Sequence, residues 1–331
     1  MDSPLGTAPK PFRVGLESGT MRGAVESRNF QYMWGFLKEI MPTSTQQNAL
    51  RFEVTDQGIA TLWLDGGGKS VVVLNRNLIQ RLHTTLDTIE NKHDIQGLIV
   101  RSDCERVFIA GADLAEIDGL DDHGLHAYLA FGTTVFGRIA SLPFPSVAAI
   151  NGATLGGGLE IAMHCDALII SKVNAGGKPF PVGLPEASLG ICPGWGGSQL
   201  LPARIFPELG IQSAATGTTF MSSDLPDGLA TQLVETPEEL QEAAEDWIQQ
   251  HQSCGATTLG IIQGDEACIK SLEHAKNTLK RTDAAQAVFH AVETGLREGW
   301  SAAVAVEQCE LVRLRNTPSA REKLDAFLSK G

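Results

Sequence analysis

Asn151-Gly-Ala-Thr-Leu-Gly-Gly-Gly-Leu-Glu160 is the stretch on which the reading of this chain turns. The apolar run Ser146-Val-Ala-Ala-Ile150 before it reads as a buried strand and stops at Asn151 and Gly152. Gly156, Gly157 and Gly158 follow, and from Glu160 the run Ile161-Ala-Met-His-Cys165 reads as helix, ahead of the apolar segment Ala167-Leu-Ile-Ile170. A strand, a glycine turn and a helix start leave free backbone N–H groups pointing outward, with the positive end of the helix behind them. Such a place attracts a negative oxygen. Further along, Gly183-Leu-Pro-Glu186 through Gly197 presents a second carboxylate in a loop crowded with glycine and proline.

Working outward, the 331 residues favour one large domain with an appendage, and 43% hydrophobic content supports a sizeable core. A net charge of −13 opposes general binding to nucleic acid or to an anionic membrane, both of which need a basic face. Any anionic ligand must be met locally. The six cysteines are scattered without a C-x-x-C pair, so neither a metal site nor a disulfide framework is expected, and a reducing compartment fits. No apolar run has membrane-spanning length, and the polar, proline-broken start does not read as a secretory signal.

Residues 1–49 read as an extension, partly disordered, in which Phe30 to Met41 has the aromatic content of a short packing helix. A globular α/β core is expected over 50–240. It opens with a β-hairpin, Arg51 to Val54 and Ile59 to Leu64, around Asp56-Gln-Gly58. Leu78, Leu82, Leu86 and Ile89 recur at helical spacing, and Ile95 to Val100 reads as another buried strand. Phe108-Ile-Ala110-Gly111-Ala112-Asp113-Leu114 ends a strand in a small-residue turn and starts a helix, and 122–141 is helical by pattern. Repeated strand–strand–helix units with turns at Gly111 and Gly156 indicate layered α/β architecture. From about Leu209 strand signals fade except at Thr231 to Glu235. Amphipathic helices are expected over 236–251, 265–279, 283–297 and 299–314, which makes 241–331 a helical region.

Two motifs mislead. Gly66-Gly-Gly-Lys69-Ser70 resembles the end of a phosphate loop, but Trp63 stands where the first glycine is required and Val71-Val-Val opens no helix. Gly194-Trp-Gly-Gly197 lacks the dinucleotide spacing. His164 reads as a core histidine, and no nucleophile-elbow serine supports a hydrolase triad. The two glycine turns are more informative together than apart. If Ala112 and Gly157 present N–H groups to one cavity, a thioester carbonyl would be polarised and its enolate held, at about 3 kcal/mol per donor. Taken singly, each turn favours the plainer reading that its glycines only permit close packing.

Phe108 to Leu114, Asn151 to Glu160 and Gly183 to Gly197 together resemble the three signature segments of the crotonase (enoyl-CoA hydratase/isomerase) superfamily, most closely the hydratase part of the fatty-acid β-oxidation α-subunit. The likeness covers roughly 50–240, and Asp283 to Lys330 resembles the helical segment that follows in those larger enzymes. It implies a ClpP-like crotonase fold of ββα units. It also implies a coenzyme A thioester whose carbonyl oxygen lies between the N–H groups of Ala112 and Gly157, with Ala110, Gly111, Asp113, Leu114, Gly156 and Lys69 around the substrate. Glutamates at both matched positions, Glu160 and Glu186, imply hydration of a 2-enoyl-CoA, with Glu160 activating water and Glu186 protonating Cα or the two sharing these roles. Isomerisation of a 3-enoyl-CoA, another acyl-CoA lyase reaction and a non-catalytic acyl-CoA-binding subunit are the alternatives. No separate cofactor or metal is expected. A homotrimer or dimer of trimers in the cytoplasm, or else the mitochondrial matrix, is the implied setting. The sequence departs from the family pattern at Asn174 to Pro179, which looks inserted, at Ala115 where a lysine is usual, and at Leu200 where an arginine is usual.

Overall fold

The computed structural model describes residues 49–68, 71–252 and 259–329. The N-terminal extension with its Phe30 to Met41 segment, and Lys69, lie outside these residues. The expected hairpin is present: β1 (Phe52–Val54) and β2 (Ile59–Leu64) pair antiparallel, with Glu53 opposite Thr61. Helix α1 (Arg76–Glu90) begins where the Asn75 side chain accepts the Leu78 N–H, and it buries Leu78, Leu82, Leu86 and Ile89 as their spacing requires.

Three successive units then deliver one strand to each of two sheets. The first is β3 (Gly97–Ser102) and β4 (Val107–Ile109), followed by helices α2 (Leu114–Gly119) and α3 (Asp122–Ala140). The second is β5 (Ser146–Ile150) and β6 (Ala153–Leu155), followed by α4 (Gly157–Met163). The third is β7 (Ala167–Ser171) and β8 (Pro181–Gly183), followed by a 3₁₀ turn at Glu186–Leu189. After α5 (Gly197–Arg204) and α6 (Pro207–Thr216), strands β9 (Thr219–Met221) and β10 (Gln232–Val234) complete the sheets. One sheet has the order β1-β2-β3-β5-β7-β10 and is parallel from β2 onward; the other has the order β4-β6-β8-β9. Strand β5 is buried along its whole length, as a central parallel strand covered on both faces must be.

The second sheet was the less readable one. The glycine turn was expected to follow β5 directly, whereas β6 intervenes. At three residues it is too short to show alternation. Strands β8 and β9 escaped the pattern for the same reason. The turn at 174–179 joins β7 to β8; Asn174 and Lys178 close it on themselves, and residues 175–179 are exposed.

Helices α7 (Leu240–Gln250), α8 (Glu266–Thr278), α9 (Asp283–Glu298), α10 (Trp300–Arg315) and α11 (Pro318–Leu328) follow. Leu240, Ala244 and Ile248 of α7 lie on the larger sheet against Ile59, Ile99, Val147, Ala149, Ala167, Ile169 and Val234. Helix α10 packs along α9 and reaches back to α3 and α5, so the last helices lean on the segment that follows Glu186. Among the described residues no helix is long and apolar enough to cross a membrane. Because Ile248 is fully buried in the sheet-facing core, Ile248→Ala should lower unfolding free energy by about 2–5 kcal/mol in urea titrations. A loss below about 1 kcal/mol would show that α7 is not part of that core.

Candidate active site

The ends of β4 and β6, neighbours in the smaller sheet, bring the two glycine turns side by side. After β4, residues 110–113 run beside 72–74: Ala110 N–H donates to Val72 O, Leu74 N–H to Gly111 O, and Asp113 N–H to Leu74 O. This pairing leaves the N–H of Ala112 over. After β6, Gly156 adopts φ +53° and donates to Gly183 O, and its neighbour Gly157 opens α4. A side chain on Gly156 would be strained by that φ, and its Cβ would lie 2.5 Å from Glu186 Oε1. Among the described residues neither the Ala112 nor the Gly157 N–H meets a protein acceptor, and both residues line one cavity.

Glu160 lies one turn along α4 and is 1% exposed. Its Oε1 accepts the N–H of Trp195 and the N–H of Gly197, each at 2.8 Å. These donors belong to the turn that leads into α5. The Trp195 ring anchors that turn: its indole N–H donates to Leu129 O at 3.0 Å, and it packs edge-on to Tyr128 and Phe136. Glu186, at the start of the 3₁₀ turn, is placed differently. Its Oε2 is buried and, among the described residues, has no hydrogen-bond partner.

Burial, then the charges of Glu186 and Glu307, hold the Glu160 carboxyl well above the usual carboxylate range, against the pull of its two backbone donors. Burial pushes Glu186 up to about 8, opposed by a hydrogen bond from its own backbone N–H and helped by the charge of Glu307. The pair therefore keeps at least one proton near neutral pH. Hydrogen bonding sets the two carboxyl groups apart. Two N–H donors on one oxygen favour the anion at Glu160, whereas a buried oxygen without a donor favours the neutral acid at Glu186.

The cavity has a volume of ≈ 70 Å³, several times the roughly 10–15 Å³ that one water needs. It collects Ala110, Gly111, Ala112, Leu114, Gly156, Gly157, Glu160 and Glu186 from the sequence reading. Ile117, Leu129, Ile191 and Leu311 give it an apolar wall. Asp113 is not in that wall: its Oδ1 caps α2 by accepting the N–H groups of Ala115 and Glu116. His164 is buried behind Glu160, its Nδ1 2.8 Å from the Glu160 carbonyl and its ring against Phe136 and Trp300. Burial takes its imidazole down to about 4, so it is a neutral core residue. Sequence reasoning missed Trp195 as an anchor, Leu311 as a wall residue and Glu307 altogether. The available signal for Glu307 was its place on the apolar stripe of α10, four residues from Ala303 and four from Leu311.

The model of the family described as enoyl-CoA hydratase/isomerase matches residues 55–302. The chain belongs to this family. Among curated proteins it is 36% identical over 192 residues to a fatty acid oxidation complex subunit alpha of Idiomarina loihiensis, covering 57% of this chain and 27% of that protein. It is 30% identical over 305 residues to the corresponding protein of a Psychrobacter species, covering 86% and 41% respectively. The chain thus spans well under half the length of these relatives. Its fold is similar to that of human mitochondrial Δ3,Δ2-enoyl-CoA isomerase (TM-score 0.62, 23% identity, 85% of this chain and 97% of that one). It is also similar to that of an enoyl-CoA hydratase from Bacillus anthracis (TM-score 0.55, 23% identity, 86% and 97%). The two-sheet ββα architecture is accordingly the crotonase fold.

For this enoyl-CoA hydratase/isomerase family member, the state of Glu186 has a measurable consequence for stability. The folded state holds the Glu186 proton up to about pH 8, whereas an unfolded glutamate releases it near its ordinary value of 4.5. Wild-type stability relative to Glu186→Gln should therefore be greatest below about 4.5, fall as pH rises to about 8, and level off above. Thermal melts of both proteins across this range test it; a pH-independent difference would contradict the burial of an unpartnered carboxyl.

Proposed function

We propose that the chain is an enoyl-CoA hydratase, adding water syn across the double bond of a trans-2-enoyl-CoA to give a 3-hydroxyacyl-CoA in fatty-acid β-oxidation. One observation carries this reading: Glu160, held by two backbone N–H donors, and Glu186, whose buried Oε2 accepts none, line the same cavity as two unused N–H groups. Hydration needs an acid and a base acting together, since the water loses a proton as Cα gains one.

In this reading the thioester carbonyl oxygen lies between Ala112 N–H and Gly157 N–H. The Glu160 carboxylate takes a proton from water as its oxygen bonds to Cβ. The π electrons move onto the thioester oxygen, and the two N–H groups stabilise that enolate by about 3 kcal/mol each. Glu186 then gives its proton to Cα, and one proton passing from Glu160 to Glu186 restores the starting pair. A 3-enoyl-CoA isomerase needs only one shuttling carboxylate, so the paired environments support hydration over isomerisation. The names of the curated relatives support the fatty-acid setting.

Purified protein should remove the conjugated absorbance of crotonyl-CoA or a longer enoyl-CoA. Glu160→Gln and Glu186→Gln should each reduce kcat by about 10²- to 10⁴-fold without unfolding. Because the acid must be protonated, kcat/KM should decline as pH rises past about 8. Turnover of 3-enoyl-CoA with none of 2-enoyl-CoA would replace the hydratase reading with isomerisation.

A further inference from the structure

A third buried carboxylate stands behind the pair. Glu307, in α10 and 1% exposed, faces the same turn that holds Glu160. Its Oε2 accepts the N–H of Gly196 at 2.6 Å and its Oε1 the N–H of Ser198 at 2.8 Å. Four consecutive N–H groups at the start of α5 thus alternate between two acids: Trp195 and Gly197 point to Glu160, Gly196 and Ser198 to Glu307. Each set of bonds fixes the orientation of the peptide units that make the other.

The rest of α10 grips the same turn. Cys192 Sγ donates to the Glu307 carbonyl at 3.6 Å. Gln308 donates to Gly194 O at 3.5 Å and to Thr133 Oγ1 at 2.9 Å. Trp300 lies so close that a Cβ on Gly196, at φ +97°, would come within 2.1 Å of its Cη2. Carboxylates at a helix start are favoured by the helix dipole, and burial pushes Glu307 up to about 7 while the Ser198 and Gly196 bonds pull it down.

We infer that Glu307 is a positioning residue for hydration: it holds the 195–198 turn so that Trp195 and Gly197 keep Glu160 aimed at the water. The inference rests on the hydratase reading for its effect on rate, but not for its effect on the turn. Only a carboxylate offers acceptor oxygens to both donors; glutamine presents one oxygen and one NH₂, so one backbone N–H would face another donor. The family match ends at residue 302, before this glutamate.

The test is Glu307→Gln, followed by amide hydrogen exchange and by kinetics on crotonyl-CoA. Faster exchange of the Trp195 and Gly197 amides, whose bonds go to Glu160 and not to residue 307, is expected while the sheet strands stay protected. A fall in kcat of about 10- to 100-fold is expected with KM changed by less than about threefold, as for a misaligned catalytic group. Unchanged exchange at 195–198 overturns the inference, as does kcat within about twofold of wild type. If Glu307→Gln does not fold, Glu307→Asp, which keeps the charge but shortens the reach by one carbon, carries the same exchange measurement. A wild type inactive on every enoyl-CoA would sink the hydratase reading, and the exchange result would still decide the role of Glu307 in the turn.

Discussion

Trp195 and Gly197 each direct a backbone N–H at Oε1 of Glu160, and much of the molecule exists to keep those two bonds in place. An ionised carboxyl at 1% exposure is costly unless donors replace its lost water. Backbone donors serve this purpose without adding a cation that would quench the base. They also pin the carboxyl on one side, which a mobile side-chain partner would not do. Glu186 lacks such donors at Oε2, and in the proposed hydration that asymmetry separates two identical side chains into an acid and a base.

The fold supplies this asymmetry through the alternation of strands between two sheets. Each ββα unit returns the chain to the smaller sheet just before a turn. Adjacent turns at 110–112 and 156–157 therefore open onto one cavity. Helix α4 carries Glu160 from the second unit, and the 3₁₀ turn carries Glu186 from the third. The larger sheet, covered by α7, gives the rigid base from which these short elements project. Helices α9 and α10 close the other side, adding Leu311 to the cavity wall and Glu307 to the turn.

How far the sequence revealed this depended on the range of the interactions involved. Glycine turns, Glu160, Glu186 and the Ala112 N–H were legible because each depends on a few neighbouring residues, as did α1 and the β1–β2 hairpin. Strands β6, β8 and β9 were hidden because each is three residues long and lies close to glycine or proline, so that it reads as part of a turn. Asp113 was placed near the substrate by family likeness, but the Asp side chain is used locally to cap α2. Glu307 was overlooked for a different reason: its place on the apolar stripe of α10 was a signal, but a lone acid between apolar residues reads as solvated until its partner is known. That partner, Ser198, is 109 positions away in the chain.

In the proposed hydration a thioester carbonyl is held between Ala112 and Gly157 with Glu160 and Glu186 on the acyl side. A crystal structure with acetoacetyl-CoA, which has no double bond to hydrate, addresses it most directly. The thioester oxygen is expected about 2.7–3.1 Å from both backbone nitrogens, with both carboxyl groups facing Cα and Cβ. A thioester oxygen bound elsewhere, or either N–H taken up by a protein acceptor in the complex, would contradict it.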